Sequence, residues 1–190
     1  MLAVLPLLLI LYVVIERGWH VINLQFFTED TLPFRMTGGG FRQGFVGSFL
    51  IMALAIPMAI IPGIATALYL VEYGKGKKLA ALVRFVTDVM TGVPSIFVGL
   101  FVYTAVVIGT IKLGFGTLAA AIAIAIVMLP IVVRSSEEML RLVPDHLRSA
   151  ALGLGARRWQ TSVKVVLPAA APGLATGSML AVARGAGETA

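Results

Sequence analysis

Arg184 and Glu188 lie four residues apart in a stretch from Pro168 to the end of the chain that carries no other charge. On a helix, side chains at i and i+4 share a face, so the guanidinium and the carboxylate can pair. An ionisable side chain within an apolar span marks a functional site by default. The chemistry open to this pair is anion binding, because a guanidinium keeps its charge and offers a forked set of donors that suits phosphate oxygens. Gly185, Ala186 and Gly187 between them leave room for another helix or a ligand to approach closely. A carboxylate beside an anion path is repulsive unless paired, so the role expected of Glu188 is to hold Arg184. The competing reading is that the segment has already left the bilayer, since at about 1.5 Å per residue Arg184 lies roughly 24 Å beyond Pro168.

The stretch leading into this pair, Leu140 to Pro168, is polar between two apolar runs. Pro144 suits the first turn of a helix, where its missing N–H costs nothing, and Val143 before it is pushed out of the helical region. Leu147, Ala150, Ala151 and Leu154 then fall at i, i+3, i+4 and i+7, one narrow apolar face, with Asp145, His146, Arg148 and Ser149 away from it. Gly155 is placed as the left-handed residue that ends the helix. A second short piece, residues 156–164, carries Arg157, Arg158, Trp159 and Lys164, a basic group with an aromatic suited to a membrane–water boundary. Leu167-Pro168 is expected to open the apolar helix that follows. By shape alone this is an ordinary amphipathic helix between two spans.

Its spacing is more specific. Ser149-Ala150-Ala151, three residues, Gly155, nine residues, then Val165-x-Leu167-Pro168 resembles the EAA loop, E-A-A-x3-G-x9-I-x-L-P, of the membrane subunits of ABC importers. Ser149 stands in place of the usual glutamate and Val165 in place of isoleucine, while the spacing is intact. Thr91-Gly92-Val93-Pro94-Ser95-Ile96, Leu129-Pro130 with Arg134 and Glu137-Glu138, and the run from Ala183 to Ala190 are similar to the phosphate permeases of PstA type within that family. The resemblance implies an all-α, polytopic transmembrane bundle of the type I ABC importer permease fold. It implies a cytoplasmic coupling helix at 144–155 that fits a cleft of an ATPase, with Ser149, Ala150, Ala151, Gly155, Leu167 and Pro168 as the coupling set. It supplies inorganic phosphate as the anion, on a pathway to which Arg184, Glu188 and Arg134 contribute. The implied partners are a homologous permease of PstC type in a heterodimer, two ATPase subunits of PstB type and an external phosphate-binding protein of PstS type. No cofactor is expected in this chain, ATP being bound by the partner ATPase, and the implied location is the bacterial cytoplasmic (inner) membrane.

The spans that must position these residues follow from composition. The 190 residues are 59% hydrophobic and 13% charged, with a mean hydropathy of +0.98, far from a soluble domain. The net charge of +6 fits positive-inside topology better than nucleic-acid binding, because no basic patch is interleaved with aromatics on a soluble surface. With no cysteine and two isolated histidines, neither a disulfide framework nor a metal site is expected. Five spans are read, at about 2–15, 44–71, 86–108, 115–133 and 165–187, in a single permease domain 1–190, with 16–43 as an external loop and 134–164 as the cytoplasmic coupling loop. Pro57 and Pro62 interrupt the second span. The first run begins at Leu2 without a basic region before it or a small-residue cleavage site after it, which argues against a signal peptide. Permeases of the resembled family usually have six spans, so the expectation is a chain cut short at both ends.

Lys and Arg counts set the orientation: residues 72–84 hold four and 134–164 hold six, against three in 16–43 and one in 109–116. The first pair is therefore cytoplasmic. Asp88 is expected to sit at a helix start, satisfied by the dipole, and Glu137 and Glu138 beside Arg134 to be solvated charge at a helix exit. Gly92-Val93-Pro94-Ser95 is read either as a helix kink or as lining of the pathway. His146 and Trp159 are expected at the interface without a chemical role. A membrane enzyme would need a nucleophile–base pair, a metal cluster or a carboxylate dyad within the spans, and the sequence offers none. Besides phosphate, the residues leave open an importer of another oxyanion or a secondary transporter; no G-x-x-x-x-G-K-[ST] is present, so nucleotide would bind elsewhere.

Overall fold

The computed structural model describes residues 4–20, 22–32, 39–109 and 111–189. Leu2 of the first run, Pro33 and Gly38 of the loop, and Ala190 of the last quoted motif lie outside them. The chain divides into two compact units, Met1–Phe49 and Leu50–Ala190.

In the first unit, α1 (Val4–Gly18) has 15 residues and no buried side chain. The short α2 (Leu24–Thr28) is capped by Asn23, whose side chain accepts from the Phe26 N–H. The segment read as an external loop is therefore partly helical, and it carries an aromatic cluster whose rings stay largely exposed. The rings of Phe26, Phe27, Phe41 and Phe45 pack with centroids 5.3 to 6.3 Å apart. Arg42 donates two hydrogen bonds to the Asp30 carboxylate, at 2.7 and 3.1 Å, and these hold the carboxyl below the usual carboxylate range.

Helix α3 (Arg42–Tyr73) carries the chain into the second unit, which continues with α4 (Lys78–Gly92), α5 (Ser95–Val107), α6 (Thr117–Arg141), α7 (Asp145–Gly153) and α8 (Arg158–Thr189). Helices α3, α6 and α8 are each long and apolar enough to cross a membrane. Several expected boundaries move. Pro57 and Pro62 lie inside an unbroken α3, as Pro130 does in α6, because packed neighbours can satisfy the carbonyls a proline frees. The proposed span at 86–108 is two helices: α4 starts at Lys78, within the expected loop, and meets α5 at a bend of 104°. There Val93 is extended (φ −76°, ψ 124°) ahead of Pro94, the conformation a following proline imposes, and Gly92 before it holds the helix only weakly. Helix α6 runs on to Arg141, so the polar loop starts later than 134. Helix α8 starts at Arg158 with a short turn and a wider π-helical stretch, Ser162–Val166, and its regular α-helical part opens at Leu167, as the Leu167-Pro168 pair leads one to expect.

Helix α6 is the centre of the second unit. Its Ala121, Ala125, Met128 and Val132 form one buried cluster with Ala55 and Ala59 of α3 and Ala181 of α8. Both partner helices meet it through a stripe of small residues every fourth position: Ala55, Ala59, Gly63 and Ala67 on α3, all buried, and Gly173, Gly177, Ala181 and Gly185 on α8. A Cβ added at Gly63 would stand 2.6 Å from Val132 Cγ1, at Gly177 2.5 Å from Ser135 Oγ, and at Gly185 2.7 Å from Met128 Sδ. In lipid the tails are as apolar as the helices, so close van der Waals packing holds such a seam, more than burial from water. Toward the end bearing α7, Ala67, Val71, Leu140, Val143, Val166, Ala170 and Leu174 form a second cluster, against which Leu147 and Leu167 pack.

Candidate functional site

The bend between α4 and α5 opens a cavity of about 430 Å³. Thr91 and Val93 line it from the bend, Phe97 and Phe101 from α5, Pro130 from α6 and Arg184 from α8. Arg184 is the one charged residue in a wall that is otherwise almost wholly apolar. It stands next to the middle of α6: Gly185 beside it abuts Met128, and Pro130 lies 13 residues from Thr117 and 11 from Arg141. Arg184 is thus level with the middle of a helix long and apolar enough to cross a membrane. Gly185 is the last member of the small-residue stripe, so Arg184 is set beside one of the close contacts of α8 with α6.

Glu188 Oε1 is 3.6 Å from Arg184 Nη2, and the arginine side chain is 57% exposed against 29% for the glutamate. At that distance the pair is an ion contact and not a hydrogen bond. The guanidinium fork therefore keeps its donors available to a ligand, while the carboxylate biases its position.

Arg134 does not enter this cavity. It lies one turn beyond Pro130 and Ile131, in a separate cluster of charge. Arg134 pairs with Asp88 of α4 and stands 3.7 Å from Glu137 Oε2. Glu137 also accepts from Arg84 Nε at 2.7 Å and from Arg141 Nη2 at 2.6 Å. Its side chain is only 3% exposed, so the expectation of solvated charge at a helix exit is wrong for Glu137 and holds only for the exposed Glu138. Asp88 is likewise not at a helix start but in the fourth helix, ten residues after Lys78, and its partner is a guanidinium and not a helix dipole. Arg84 was missed as a member. Its contact with Glu137 spans 53 residues of sequence and leaves no local signal, whereas Glu137 with Arg141 is a readable i, i+4 pair.

The polar loop is well fixed. Arg148, 16% exposed, donates to Glu72 Oε1 at 3.0 Å and to the Leu140 carbonyl at 3.0 Å, tying α7 to the end of α3 and the end of α6. Gly155 has φ +84°, a left-handed conformation that favours glycine. Helix α7 ends at Gly153, so Leu154 leaves the helical register, and the apolar face splits. Leu147 turns inward, while Leu154 is 90% exposed and Leu152 46%. Ser149 and Ala150 are exposed, Ala151 half-buried, and the Ser149 hydroxyl donates to the Asp145 carbonyl at 2.7 Å. Leu167 is half-buried and Pro168 exposed on α8. The sequence-derived site residues thus fall in three places: Arg184 with Glu188, Arg134 with the Glu137 cluster, and the coupling set around α7.

A family profile described as binding-protein-dependent transport system inner membrane component matches residues 55–190. The chain belongs to this family. With it, the apolar helices make a multi-pass membrane protein. Relatives of this chain include the phosphate transport system permease protein PstA 1 of Mycobacterium tuberculosis (strain CDC 1551 / Oshkosh), 42% identical over 99% of this chain and 62% of the relative. PstA of Xylella fastidiosa (strain 9a5c) is 44% identical over 93% of the chain and 61% of the relative, and PstA of Yersinia pestis 42% over 97% and 62%. The chain therefore spans about three fifths of the length of these relatives. Among solved structures, an inward-facing MetNI methionine ABC transporter matches with a TM-score of 0.67 at 22% identity, over 76% of this chain and 70% of that one. That likeness supports the permease fold.

Proposed function

We propose that the chain is a membrane-spanning subunit of an ATP-driven importer of inorganic phosphate in the bacterial inner membrane. The observation that carries this reading is a single loosely held guanidinium facing an otherwise apolar cavity at a broken helix, a setting in which an oxyanion would meet a fixed positive charge and a fork of donors. The relatives named as phosphate transport permeases supply the anion. The expected partners are a second permease of PstC type, ATPases of PstB type that bind ATP, and an external binding protein of PstS type. The exposed Ser149, Ala150, Leu152 and Leu154 give an ATPase a surface to grip. The bonds of Arg148 to Glu72 and to the Leu140 carbonyl make α7 move as one body with the ends of α3 and α6. A push on α7 then reaches the spans, and the spans reach the cavity.

The test is Arg184→Gln in the assembled transporter. It keeps a hydrogen-bonding side chain but removes charge and fork, and phosphate uptake should fall by at least an order of magnitude while copurification with the ATPase persists. Unchanged uptake in a properly assembled complex would remove Arg184 from the pathway.

A further inference from the structure

A second cavity, of about 470 Å³, lies at the other end of the second unit, away from Arg184. Its charged walls come from three elements: Glu72, Lys75 and Lys77 from the end of α3 and the turn after it, Arg148 from α7, and Arg158 from the start of α8. The charges do not balance. Glu72 is taken by Arg148, and both are largely buried, at 13% and 16% exposure. Lys75, Lys77 and Arg158 have no carboxylate within ion-pair distance among the described residues. The Lys77 ammonium stands 5.9 Å over the Tyr69 ring, a contact that orients it without neutralising it. Two segments bring three exposed like charges to the rim of one cavity, where a bound anion can meet all three.

The setting names the kind of anion. Tyr73 is the last residue of α3, Arg158 is the first of α8, and Trp159 next to it is 53% exposed, so the cavity lies where two spans end and aromatic side chains mark a membrane boundary. By the Lys and Arg count this is the cytoplasmic side, whose leaflet carries anionic lipid, and basic pockets between spans on that side take phosphate headgroups. We propose that this cavity binds a phosphate group through Lys75, Lys77 and Arg158, its source being the headgroup of an anionic phospholipid or free phosphate in the cytosol. The side is set by the Lys and Arg count, so the proposal stands apart from the transport reading. Because Arg148 and Glu72 share the cavity wall, an occupant braces the joint between α7 and α3.

The experiment uses the transporter copurified with its partner subunits. In nanodiscs of phosphatidylglycerol, wild type should retain the anionic lipid through detergent exchange and melt at a higher temperature than in phosphatidylcholine. Each cation removed should weaken retention about five-fold, so the triple variant K75Q/K77Q/R158Q should lose both effects. K75Q/K77Q, confined to an exposed turn, should lose part of them and guards against misfolding of the triple variant. In phosphatidylcholine, a melting shift with millimolar inorganic phosphate that disappears in the variants assigns the site to the soluble anion instead. Equal lipid retention in wild type and variants, together with no response to inorganic phosphate, overturns the site. Arg184→Gln should leave lipid retention unchanged, which separates this result from any failure of the transport reading.

Discussion

Glu137 is the residue whose loss should be felt most. It is the carboxylate shared by Arg84 and Arg141, and its side chain is 3% exposed. Removing its charge leaves the guanidiniums of Arg84, Arg134 and Arg141, between 30% and 58% exposed, facing one another without their shared counter-ion. Glu137→Gln should therefore lower the melting temperature of the solubilised complex far more than Arg84→Gln, which leaves Arg141 in place. Equal shifts would mean that the cluster is wetter than its burial indicates. Glu188→Gln tests a different balance. It removes the charge that biases Arg184, so turnover should slow while the protein still assembles, and an unaltered uptake rate would reduce Glu188 to a structural residue. Arg184 and Glu188 were legible from sequence because two charges in an apolar helix have few roles open to them. The Glu137 cluster was only half legible, because its central contact joins residues far apart in the chain.

Among the elements, the two small-residue stripes make unequal demands. At Gly63 an added methyl would meet Val132, a β-branched side chain with little freedom, at 2.6 Å, whereas at Gly185 it would meet the thioether end of Met128 at 2.7 Å. Gly63→Ala should cost about 1–3 kcal/mol by overpacking. Gly185→Ala should be close to neutral, since helix propensity returns up to about 1 kcal/mol. Thermal unfolding of the two variants decides this, and the reverse order would show that Met128 is the more rigid wall. The stripe on α8 was readable in the spacing of Gly173, Gly177, Ala181 and Gly185, yet the prolines and the Arg–Glu pair drew the reading elsewhere. Proline misled at Pro57 and Pro62, which stay inside α3 as Pro172 stays inside α8, whereas a helix does end at Val93-Pro94, where glycine precedes the pair. Which prolines a helix tolerates depends on neighbours that the local sequence does not contain.

For the molecule as a whole, topology is the prediction on which the others depend. A reporter at Lys77 or at Arg148 should read as cytoplasmic and one at Glu29 as external. The opposite pattern would place α7 beyond the reach of any cytoplasmic ATPase. Fold class, membrane character and the polar loop were legible because hydropathy and charge counts are sums over many residues, which single errors barely move. The bend of 104° at Gly92-Val93-Pro94 was foreseen only as a choice between kink and pathway lining. It is a break between two helices and one wall of the Arg184 cavity.

The stripes of glycine and alanine on α3 and α8 also bear on how this protein can change over time. Most single-base changes in a glycine or alanine codon yield a larger, charged or β-branched residue, and serine is among the few substitutes of similar size. Where the facing wall is Val132 or Ser135, such changes meet heavy atoms at once. Most of the same codons elsewhere on these helices look outward and carry no such penalty, the buried Ala170 and Gly44 against Phe41 being exceptions. Drift should therefore be slow along two lines of every fourth residue and fast between them, so that a library of random variants selected for uptake would trace the seam without any structure in hand.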